Sequence, residues 1–153
     1  MVDILLFLRN DIESKLGKKG RSRNNIQQIL NQLPNGLGVT FTIVDWNDRL
    51  EIFGTTNILF DESAIKLVSL GKVVICDRLH AAVLSYLSRI PIVYMDQESN
   101  KLTNVLDVAF SSADICMDNQ NMVFKGSLLQ DSLEKALDIL AAGDLQLQLY
   151  HQV

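Results

Sequence analysis

Arg78 and His80 stand one residue apart in the run Val73-Val74-Ile75-Cys76-Asp77-Arg78-Leu79-His80, and together they are suited to hold an anion. A guanidinium is always charged, and its planar fork meets a carboxylate or a phosphate with two parallel hydrogen bonds. An imidazole titrates near neutrality, so it can give a proton, take one, or stay as a cation beside a phosphate. A second arginine, Arg9, follows directly on the apolar run Ile4-Leu5-Leu6-Phe7-Leu8. By itself Arg9 could pair with Asp11 or Glu13 on the surface, or stand at the same sheet edge as Arg78. Asp77 reads as a group that orients Arg78, His80 or the loop backbone and takes no direct part in chemistry.

The elements around these residues must bring them to one place. Val73 to Cys76 and Ile4 to Leu8 are uninterrupted apolar runs, the pattern of parallel strands buried on both faces. Beyond Arg78, the positions Leu79, Val83, Leu84 and Leu87 recur at helical spacing and predict an apolar helix face. Arg78 and His80 then fall between the carboxyl end of a strand and the amino end of its helix, where unpaired backbone N–H groups already favour an anion. Val39 to Val44 and Ile92 to Met95 predict two further strands, the latter opened by Ile90-Pro91 and ending at Asp96. Ser22 is the expected cap of a helix with the stripe Ile26, Ile29, Leu30 and Leu33, stopped by Pro34-Asn35-Gly36. The stretch from Lys15 to Arg23, broken by Gly17 and Gly20, predicts a mobile basic loop. Asp61 or Ser63 is expected to cap a short helix with Ala64, Leu67 and Val68 inward and Gly71 as its left-handed stop. Ala113 to Met117 predicts a last short strand, and Ser127 opens a helix closed by Gly143. Trp46, at the end of the Val39 strand, reads as a packing residue. Strands that alternate with helices in this way predict an α/β fold, a Rossmann-like parallel sheet with helices on both faces, over a single domain spanning residues 1–153.

The Asp77-Arg78-Leu79-His80 run after an apolar strand, followed by a helix, Ile90-Pro91-Ile92-Val93, Asp96 and Lys101, resembles the polysaccharide pyruvyl transferases. The resemblance runs from about Asp61 to Lys101, extends to Leu8-Arg9-Asn10-Asp11, and stops near Phe110. It implies one half, the carboxyl half, of a GT-B-like enzyme with two facing Rossmann-like domains. It also implies transfer of the enolpyruvyl part of phosphoenolpyruvate to a sugar of a polysaccharide or other glycan, with a pyruvate ketal as product. Carried onto this sequence, it makes His80 and Arg78 catalytic and gives Arg9, Arg78, Leu79, His80, Asp96 and Lys101 to the substrate. No cofactor and no metal are implied, since phosphoenolpyruvate is the donor substrate. The partners implied are that donor, a glycan acceptor, and either a missing N-terminal domain or a second copy in a homo-oligomer. A bacterial member is expected in the cytoplasm and a fungal one in the Golgi lumen.

Composition narrows the rest. The 153 residues are 48% hydrophobic and 21% charged, with only 2 Pro, which suits one packed core and argues against disorder. A formal net charge of -4 argues against general affinity for nucleic acid or an anionic membrane, so any anion must be bound locally. The apolar run that ends at Arg9 is too short for a membrane span and lacks the flanks of a targeting signal. Cys76 and Cys116 read as core thiols. No nucleotide-binding glycine fingerprint, metal-ligand cluster or nucleophilic triad is present in the sequence. Two other readings stay open: a glycosyltransferase-like domain that binds a nucleotide sugar at the same sheet edge, and a non-catalytic interaction domain.

Overall fold

The computed structural model describes residues 1–10, 16–45, 60–96, 100–110 and 122–151. Five strands form one parallel sheet in the order β2-β1-β3-β4-β5: β1 (Val2–Phe7), β2 (Phe41–Val44), β3 (Gly71–Cys76), β4 (Ile92–Met95) and β5 (Val123–Gly126). The helices are α1 (Gly17–Gly20), α2 (Arg23–Gln32), α3 (Phe60–Val68), α4 (Leu79–Leu87), α5 (Lys101–Phe110) and α6 (Leu129–His151). The chain is therefore an α/β protein with a Rossmann-like sheet, as the alternation of apolar runs and helical stripes predicts.

The apolar runs are continuous because both faces of the sheet are covered. Along β1 the side chains alternate: Ile4, Leu6 and Leu8 enter the core shared with α2 and α6, while Leu5 and Phe7 enter the core shared with α3, α4 and α5. All five are fully buried, which fixes the register, since a slip by one residue would exchange the two cores. Ile4 pairs with Phe41 on one side and with Val73 on the other. Beneath β2, Ser22 caps α2 by accepting the Asn25 N–H at 3.2 Å, and Ile26 and Leu30 form the buried stripe of that helix.

Several local expectations are corrected. Gly17–Gly20 forms a short helical turn within the stretch that reads as a loop, and its neighbours Arg21 and Arg23 are anchored to the sheet. Arg21 Nη2 donates to the Leu8 carbonyl at 3.2 Å, and the Arg23 guanidinium lies 4.6 Å from the Phe41 ring centre. Phe60 is already part of helix α3, so Asp61 and Ser63 lie inside it; Ala64, Leu67 and Val68 are buried as expected. Gly71 opens β3 and is no left-handed stop: a Cβ there would sit 2.5 Å from Leu5 Cβ and 2.8 Å from the Leu5 nitrogen, so glycine permits the close approach to β1. Helix α4 buries Ala81, Ala82 and Ser85, and turns Val83 (37% exposed) and Leu87 (69%) outward, because small residues let it lie close on the sheet. The last described strand is Val123–Gly126, and α6 runs on through Gly143 to His151. The strand expected over Ala113 to Met117, Cys116 and Trp46 lie outside the described residues.

Candidate functional site

In a parallel sheet every strand delivers its following loop to the same edge. Where neighbouring strands send their chains to opposite faces, the loops part and leave a crevice. Here that reversal falls between β1 and β3: the chain leaves β1 for α2 on one face and leaves β3 for α4 on the other. Arg9 and Asn10 follow β1, Asp45 follows β2, and Asp77 and Arg78 follow β3, so all five residues stand at the parting of the loops.

Two carboxylates hold these loops together. Asp77 accepts the Arg9 N–H through Oδ1 at 2.8 Å, and Asp45 accepts the Asn10 N–H through Oδ2 at 3.2 Å. They continue the sheet's ladder past the strand ends, with side-chain oxygens standing where strand carbonyls would be if β2 and β3 ran on. Asp45 also takes the Arg78 fork, with Nε to Oδ1 at 2.7 Å and Nη2 to Oδ2 at 3.1 Å, a bidentate ion pair. Asp45 is only 3% exposed, whereas the Arg78 side chain keeps 25% of its surface open. The pair thus faces the edge with its cation outermost.

Asp77 is 6% exposed, and its burial pushes the carboxyl up from the ordinary 3.8 to about 6. The Arg9 N–H and the charges of Arg78 and Arg9 pull it down, and the neighbouring charge of Asp45 pushes it up. Dehydration is the largest of these influences and prevails over the Arg9 N–H and the two cations, and repulsion from Asp45 is the smallest. The sequence leaves three tasks open to Asp77, and the structure selects the loop backbone; the residue that orients Arg78 is Asp45. Sequence reasoning missed Asp45 as a site residue, although a signal was present: three of the parallel strands are followed at once by aspartate, at Asp45, Asp77 and Asp96.

The other expected site residues take these places. Arg78 is the N-cap of α4, in extended conformation, and its side chain caps no N–H of the first turn. Leu79 is half-buried against the core beneath α4, and His80 is exposed at the second position of the helix. Asp96 follows β4 and accepts the N–H groups of Leu102 at 3.2 Å and Thr103 at 2.7 Å, which fixes the start of α5. Lys101 is the exposed first residue of that helix. The structure therefore brings Arg9 and Arg78 to one corner, sets His80 on the adjoining helical turn, and puts Asp96 and Lys101 one strand further along the same edge.

Among the described residues no group of three or more His, Cys, Asp or Glu side chains could hold a metal ion, and no helix is long and apolar enough to cross a membrane. No family model, curated protein or solved structure matches the chain.

Proposed function

We propose that the chain binds phosphoenolpyruvate at this corner and acts as the donor-binding half of a transferase that places the enolpyruvyl group on a sugar of a glycan. The observation that carries this reading is the convergence of the loops bearing Arg9 and Arg78 at the strand-order reversal, where α/β folds of this kind take their ligands. Phosphoenolpyruvate has a carboxylate and a phosphate, and two arginines held by separate loops suit two anionic groups. The amino end of α4 adds backbone dipoles beside Arg78. Leu79 packs beneath that turn, and Asp96 fixes the start of the helix whose first residue is Lys101, the lysine that the resemblance gives to the substrate.

Formation of the ketal protonates the methylene carbon to a methyl group, joins two sugar hydroxyl oxygens to the central carbon, and breaks the bond to phosphate. One hydroxyl proton balances the new C–H bond and the other leaves with phosphate or water. His80, exposed on the first turn of α4, is the group suited to carry such a proton or to hold the departing phosphate. The acceptor is met by a further domain or by a second copy of the chain. The reading puts a bacterial protein in the cytoplasm and a fungal one in the Golgi lumen.

Thermal unfolding of the whole chain with phosphoenolpyruvate, nucleotide sugars or inorganic phosphate tests the proposal. Selective binding at a hundredfold excess over Kd adds about 2.7 kcal/mol and raises the midpoint. A rise with a nucleotide sugar alone would replace the reading by a glycosyltransferase-like one. No rise with any of them, with Arg78→Ala and His80→Ala equally silent, would leave an interaction domain.

A further inference from the structure

We infer that Asp45 is a positioning residue for the anion site, acting through Arg78; this rests on the reading of that corner as the place where the donor's anionic groups bind. Asp45 is tied to three loops at once. It follows β2, accepts the Asn10 N–H from the loop after β1, and grips the Arg78 fork from the loop after β3. Its burial at 3% exposure keeps it away from a ligand, whereas the Arg78 side chain reaches the surface.

An arginine side chain free to rotate loses entropy each time it meets an anion, and a fork already clamped in plane avoids most of that loss. The bidentate pair with Asp45 fixes the guanidinium plane and commits its Nε side, so Arg78 meets a ligand in one orientation only. Removal of Asp45 releases the Arg78 fork while leaving both arginines in the chain.

The test is a double-mutant cycle on the full chain, with Kd for phosphoenolpyruvate by calorimetry and the ligand-free midpoint measured beside it. Asp45→Ala is expected to weaken binding at least tenfold. Arg78→Ala does so comparably, and the double variant loses no more than Arg78→Ala alone, because Asp45 works through that side chain. Asp45→Asn keeps an acceptor for the Asn10 N–H or for Arg78 and recovers part of the affinity. A purely structural aspartate would lower the midpoint and leave Kd within twofold, or its loss would multiply with that of Arg78→Ala; either result overturns the inference. If inorganic phosphate or a nucleotide sugar binds and phosphoenolpyruvate does not, the pyruvyl reading falls, and the same cycle on the anion that binds decides the role of Asp45. If the wild-type chain binds none of them at millimolar concentration, both fall.

Discussion

Asp77 is a buried carboxyl whose ionisation works against the fold, and replacing it by asparagine should stabilise the protein at neutral pH. Its carboxyl is pushed from 3.8 to about 6 by burial, so between those values the folded chain holds a proton that the unfolded chain has released. Stability then falls as pH rises from about 4 to 6 and levels off above. At about 1.4 kcal/mol per pH unit the full penalty is ~3 kcal/mol, an upper figure that relaxation of the loop and entry of water reduce. The asparagine side chain has nearly the shape of the protonated acid and would still accept the Arg9 N–H through its amide oxygen. Urea unfolding of wild type and Asp77→Asn at pH 4.5, 6 and 7.5 reads this directly. Differences between the two chains cancel the Asp3 and Asp131 carboxyls, which lie below the ordinary value and titrate alike in both. The variant should exceed wild type by about 1–3 kcal/mol at pH 7.5 and by only about a third of that difference at pH 4.5. A variant less stable than wild type at pH 7.5, or a difference independent of pH, would refute the reasoning: the Asp77 charge would then be a net stabiliser through Arg9 and Arg78.

Two further predictions concern the frame that carries the site. Gly71→Ala drives a methyl group into Leu5 across the β1–β3 pair and should cost about 1–3 kcal/mol, checked by chemical denaturation; an unchanged midpoint would show that the strands part without penalty. In a Cys116→Ser background, Cys76 should react with a thiol reagent at pH 8 only as fast as the protein opens, since the side chain is fully buried and burial pushes its thiol up. Labelling at the rate of a free thiol would contradict that placement.

Much of this architecture is legible in local patterns. The runs Ile4 to Leu8 and Val73 to Cys76 are apolar without interruption because a parallel strand covered on both faces has no wet side, and that alone indicates the sheet. Ser22 and the Ile26/Leu30 stripe are equally local: cap and stripe lie within a few turns of chain. Helix α4 is harder to read, because the Leu79/Val83/Leu87 spacing competes with a face of small residues, and close packing on the sheet favours Ala81, Ala82 and Ser85. Helix α6 passes through Gly143 because one glycine costs a long helix only about 1 kcal/mol. The strand Val123–Gly126 is short and at the sheet edge, with a partly exposed pattern that carries little periodic signal.

What the sequence determined by itself is the kind of protein: alternating buried strands and helices, with Arg9 and Arg78 each just beyond a strand end. Tertiary structure alone decided which strand lies beside which, and therefore which side chains meet. Asp45 and Arg78 are 33 residues apart and Asp77 and the Arg9 N–H are 68 apart, so no local pattern pairs them. The order β2-β1-β3 does, because it sets three loop starts side by side at one edge, where a buried carboxylate is stable only if neighbouring N–H groups and a guanidinium reach it.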